Sequence, residues 1–67
     1  MKKEEFIKLL SEISDFELYS IAKSKLLTSL SYNNFSDWRL KCIFNECSNR
    51  NTKIYNDALC DAIYSIH

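Results

Sequence analysis

Apolar residues recur at helical spacing four times along the chain, with polar breaks between the runs. Phe6, Leu9, Leu10 and Ile13 fall at i, i+3, i+4 and i+7, one face of a helix over about residues 3–13. Glu4 and Glu5 occupy its first turn, where the helix dipole favours acids. Ser14-Asp15-Phe16-Glu17 then reads as a capping box, with Ile13 placed to staple onto Leu18. A second helix over about 15–30 follows with almost no loop. Its stripe is Leu18, Tyr19, Ala22, Leu26 and Leu30, with Phe16 and Leu27 on the flank and Ile21 on the polar side.

Ser31 to Phe35 form the main loop, and Ser36 or Asp37 caps a third helix over about 37–48. Asn49-Arg50-Asn51 is a turn, Thr52 is a candidate cap, and a fourth helix over about 52–66 carries Tyr55, Ala58, Leu59, Ala62, Ile63 and Ile66, with Ile54 at its edge. The pattern predicts a single all-α domain over residues 1–67, a compact bundle of three to four short helices or a pair of helical hairpins. Three is the count if the first two helices merge into one kinked unit.

The third helix is apolar on two sides. Leu40, Ile43, Phe44 and Cys47 form one arc, while Trp38 and Cys42 lie opposite it with Asn45 and Asn49. Such a helix is either central in its own fold or makes contacts beyond it. On the first view Trp38 folds over Phe35 or Tyr32 at the end of the bundle. On the second it anchors a partner surface beside Arg39, since Trp, Tyr and Arg dominate interface hot spots. The fourth helix repeats the theme with Cys60 and Tyr64, which flank Asp57 and Asp61 away from its apolar stripe.

Composition narrows the field. The chain has 67 residues and neither Gly nor Pro. Hairpin turns and phosphate-binding loops lean on Gly, whereas helices can end on Asn in the left-handed conformation. Asn33, Asn34, Asn49 and Asn51 are the candidates. Nine Lys and Arg balance nine Asp and Glu, so no net field draws in nucleic acid or an anionic membrane. No targeting segment or membrane span is read, and the expected location is the cytoplasm. The Lys, Asn, Ile, Ser and Tyr bias is that of an AT-rich genome, such as a low-GC bacterium or its phage.

Cys42, Cys47, Cys60 and His67 are the residues a metal would need. Zinc ligands usually come in pairs two to four apart, and Cys42 and Cys47, five apart on a helix, point about 140° from each other. The cysteines read instead as small apolar residues, and no cofactor site is read. Catalysis is not expected: the sole His is terminal, and the carboxylates fall on polar faces or in first turns.

A helix-turn-helix formed by the third and fourth helices is the rival reading. Thr52, Lys53 and Asn56 would lead the recognition helix, and Lys41, Arg50 and Lys53 gather near the turn. Neutral charge and the acids Asp57 and Asp61 weigh against nucleic acid, and mixed-sign polar faces weigh against a membrane surface. The expectation is a protein-binding module, an inhibitor or regulator of antitoxin-like, immunity-like or phage-inhibitor-like character. Its partner-binding residues are Trp38, Arg39, Cys42, Asn45, Asn49 and Tyr64. A homodimer through the second face of the third helix and Ile21 is a separate expectation.

Overall fold

Two asparagines end two of the helices. The computed structural model describes residues 2–66 and contains α1 (Lys3–Glu12), α2 (Asp15–Ser31), α3 (Trp38–Asn49) and α4 (Ile54–Ile66), with no strand among the described residues. Asn33 and Asn51 have φ of 50° and 55°. After α2, Asn34 N–H donates to Ser29 O at 2.9 Å and Asn33 N–H to Leu30 O at 3.3 Å. After α3, Thr52 N–H donates to Cys47 O at 3.1 Å and Asn51 N–H to Ser48 O at 3.0 Å. Both ends are Schellman motifs, in which a left-handed residue lets two amides fold back onto orphan carbonyls. Asn does here what Gly does more often, which is how a helical chain dispenses with glycine. Asn34 and Asn49, the other two candidates, do not take left-handed conformations.

The starts of the helices follow local chemistry. The Ser14 hydroxyl accepts from Glu17 N–H at 3.2 Å and donates to the Glu17 carboxylate at 3.1 Å. Ile13 and Ser14 are both extended, so α1 and α2 are separate helices and the count is four. Asp37, rather than Ser36, caps α3 by accepting from Arg39 N–H at 2.9 Å. Ser36 is instead tied to the Asn34 side chain, through its amide and its hydroxyl. Thr52 accepts from Ile54 N–H at 3.3 Å, and α4 begins two residues later than the sequence suggests.

The helices pair alternately rather than as sequential hairpins. α2 packs most extensively on α4, α1 lies on α3, and smaller α2–α3 and α3–α4 contacts join the two pairs. At the first interface Ala22, Ala58 and Ala62 are fully buried beside Leu18 and Leu26. Small side chains there let the helix axes approach closely. The Tyr19 hydroxyl donates to the Asp61 carboxylate, which sets the start of α2 beside the end of α4. The rest of the core is Phe6, Leu10, Leu40, Cys42, Ile43 and Cys47.

Several apolar positions depart from the simple stripes. Ile21, expected on the polar side, is half-buried against the core, because α2 meets α3 as well as α4. Leu9 is exposed, since α1 buries only Phe6 and Leu10 against a single neighbouring helix. Phe44, expected in the core, is 50% exposed and stacks edge-on against Tyr55, with ring centroids 5.2 Å apart. Ile63 and Ile66 are partly exposed, and the fully buried positions of α4 belong to Ala58 and Ala62.

Arg50 holds α1 against α3. Grouped by the sequence with Lys41 and Lys53 near the turn, it has a side chain only 19% exposed. Its guanidinium donates to Glu46 at 2.7 Å, Asp15 at 2.8 Å, Leu10 O at 2.6 Å and Ile13 O at 2.7 Å. No basic residue lies in the last turn of α1. Arg50 therefore supplies, from another helix, the cation that the C-terminal carbonyls and dipole of α1 call for. The two carboxylates hold the Arg50 pKa above its ordinary value, Glu46 most strongly. Phe6 near the start of α1 touches Trp38 at the start of α3, and Arg50 joins their far ends. α1 and α3 thus run in the same direction.

Candidate functional site

The side-by-side packing of α1 and α3 leaves a groove of about 350 Å³. Trp38, Lys41, Cys42, Asn45, Glu46 and Asn49 line it from α3, at spacings of three, one, three, one and three residues, a single helical stripe. Lys3, Ile7 and Leu10 line it from α1. Leu10 and Cys42 are buried at its floor, while Ile7 and Trp38 stand half-exposed at its sides. The arrangement is an apolar floor with a small set of polar groups at the edge, the usual make-up of a recognition site.

Trp38 has a foot in both expected roles. Its ring meets Phe6 edge-on at 5.6 Å and 86°, a favoured aromatic geometry, so α1 rather than Phe35 or Tyr32 is its aromatic neighbour. It remains 36% exposed toward the groove. The Arg39 guanidinium sits 5.0 Å from the centre of the same ring and 3.3 Å from Asp37. Those contacts help to fix the orientation of Trp38. The Asp37 carboxyl is held below its ordinary pKa, chiefly by the hydrogen bond from Arg39 N–H and also by the nearby Arg39 and Lys25 charges.

Four of the six expected partner-binding residues, Trp38, Cys42, Asn45 and Asn49, come together in this groove. Cys42 requires a correction. It was expected on an outward face, but it is 5% exposed because α1 lies across that side of α3. Arg39 stands at the margin and does not line the groove. Tyr64 is not part of it: it projects from α4, 84% exposed. Sequence reasoning missed the other five lining residues, Lys3, Ile7, Leu10, Lys41 and Glu46. The i, i+4, i+7 relation of Lys3, Ile7 and Leu10 is a second face of α1, hidden by the stronger stripe at Phe6 and Leu10.

Glu46 is engaged by Arg50, so the free charges at the groove belong to Lys3 and Lys41; neither has a carboxylate within salt-bridge distance among the described residues. Arg50 is also withdrawn from the basic cluster that a helix-turn-helix reading would use. The thiol of Cys47 and the phenol of Tyr55 are both pushed up by burial, and that of Tyr19 is raised mainly by its hydrogen bond to Asp61. Among the described residues no three of His, Cys, Asp and Glu gather in a metal-binding arrangement, and His67 lies outside the described residues. No described helix is long and apolar enough to cross a membrane.

No family model matches this chain, and no curated protein or solved structure matches it at a significant level.

Proposed function

We propose that the chain is a protein-binding module, an inhibitor or regulator that acts by contact, and that the α1–α3 groove is its contact surface. The observation that carries this reading is the half-exposed Trp38 standing over the buried floor of Leu10 and Cys42, with Ile7 across from it. A rigid aromatic at the wall of a concave apolar site is the usual anchor of a protein interface. The length of the stripe supports a helical or extended segment as occupant: Trp38 to Asn49 spans about 16 Å at 1.5 Å per residue. A partner helix would lay its anchor side chains at i, i+3, i+4 and i+7 along it.

The test is site-specific photo-crosslinking from a reactive residue placed at Asn45, with a matched probe at Ser20 on the exposed side of α2. The expected result is one discrete protein adduct from position 45, lost when Ile7→Glu is added to a chain that keeps its helicity. Equal adducts from both positions, or an adduct indifferent to Ile7→Glu, would refute the reading.

A further inference from the structure

The chain is neutral as a whole, yet the charges without an ion pair that line the α1–α3 groove are lysines, while the only charged residues of α4 are acids. Lys3 and Lys41 flank the α1–α3 groove without a carboxylate partner within 4 Å among the described residues. On α4, Asp57, Cys60, Asp61 and Tyr64 fall at i, i+3, i+4 and i+7, one outward stripe in which all four residues are exposed. Neither acid meets a Lys or Arg within 4 Å among the described residues. Carboxylates four apart on a helix repel each other by about 0.2–0.5 kcal/mol, a cost that a cation from elsewhere relieves. Tyr64 lies beside Asp57 in projection, on the side away from Asp61, with most of its ring in solvent, and large exposed aromatics of this kind are typical interface anchors.

We infer that the acidic outer face of α4 on one copy docks into the basic-rimmed α1–α3 groove of a second copy, a head-to-tail contact that rests on the groove reading above. Tyr64 enters beside Trp38 and Ile7, and Asp57 and Asp61 meet Lys3 and Lys41. Charge complementarity selects this occupant: the groove offers two lysines without carboxylate partners, and α4 offers only acids, Asp57 without a cation and Asp61 held by the Tyr19 hydroxyl. One chain cannot satisfy both surfaces itself, because the groove belongs to the α1–α3 pair and the acidic face to the α2–α4 pair. A contact between two different surfaces is heterologous, so it repeats from copy to copy instead of stopping at a symmetric dimer. Self-association also answers a marginal core, a common recourse for domains below about 70–80 residues.

The experiment is sedimentation of the full chain over a range of concentrations and salt. The expected mass climbs above the 7.9 kDa monomer with concentration and falls back as salt rises. Two surface variants, Ile7→Glu in the groove and Tyr64→Glu on α4, should each stay monomeric with unchanged helicity. Mixed one to one, they should form a discrete dimer, because the mixture holds one intact groove and one intact α4 face per pair. A wild-type chain that remains monomeric throughout overturns the inference. So does a mixture that stays monomeric, or a self-limiting wild-type dimer that either single variant still forms. A monomeric wild type would leave the groove reading standing for a different protein, since the crosslink from position 45 is scored separately.

Discussion

The Arg50 guanidinium lies 2.6 Å from the carbonyl oxygen of Leu10, forty residues earlier in the chain. With the bonds to Ile13 O, Glu46 and Asp15, this is the polar tie that fixes α1 on α3 and so shapes the groove. Hydrogen bonds to charged groups contribute about 1.5–3 kcal/mol each before the discount for partial exposure. Arg50→Ala is therefore expected to cost about 2–3 kcal/mol, a large share of a domain whose total stability is about 3–10 kcal/mol. Arg50→Lys should recover only part of that, because a single ammonium cannot span acceptors arranged around a planar fork. Chemical denaturation of the three chains measures both effects. A loss below about 0.5 kcal/mol for Arg50→Ala, the level of an exposed pair, would show that the tie is ornamental.

The two left-handed asparagines offer a sharper backbone test. A residue with a Cβ in this conformation carries a strain of about 1–2 kcal/mol, which Asn tolerates better than most and Gly escapes. Asn51→Gly is expected to leave the melting temperature unchanged or slightly raised, while Asn51→Ala lowers stability by about 1 kcal/mol. Asn33 should follow the same order after α2. Thermal unfolding of the four variants decides it. Equal effects of Gly and Ala would mean that the Schellman geometry is not what ends these helices.

Legibility in the sequence divided along a physical line. Whatever depended on one helix alone could be read: the 3.6 period in Leu18, Ala22 and Leu26, the Ser14–Glu17 cap, and the absence of glycine that left the helix ends to asparagine. Whatever depended on which helices meet could not. Cys42 changed from an outward residue to a buried one because α1 crosses that face of α3. Arg50 read only as part of a basic cluster because its acceptors on Leu10 and Ile13 are backbone oxygens, invisible to side-chain patterns. The second stripe of α3 was visible as Trp38, Cys42, Asn45 and Asn49, but its other wall, Lys3 and Ile7, was set by the alternating order of packing.

The cap on α3 makes part of the stability depend on pH. Asp37 has a folded pKa below its ordinary value, so it binds its proton more weakly folded than unfolded. Its contribution is then fully present above the unfolded carboxylate value of about 3.9 and is lost as pH falls through the lowered folded value. Asp37→Ala should cost about 1 kcal/mol at neutral pH, the usual worth of an N-cap. The gap to wild type should shrink as pH is lowered past about 4. Urea unfolding at several pH values checks the sign. A gap that widens in acid would place the stabilising charge elsewhere.

The three thiols report on whether α1 stays seated. Cys60 is exposed, while Cys42 and Cys47 are buried. Burial also raises the Cys47 pKa, which lowers the thiolate fraction available to react. A thiol-specific reagent should label one cysteine per chain quickly, and Cys60→Ser should remove that fast phase. Cys47 lies in the α3 arc shared with Leu40 and Ile43, so its labelling should track global unfolding. Cys42 is the informative one, because it sits on the groove floor under α1. If its labelling coincides with that of Cys47, the groove is a fixed shape that an occupant meets preformed. If Cys42 reacts faster than Cys47, and faster still in Arg50→Ala, then α1 lifts from α3 as a unit, and an occupant can bind by deepening the groove between them.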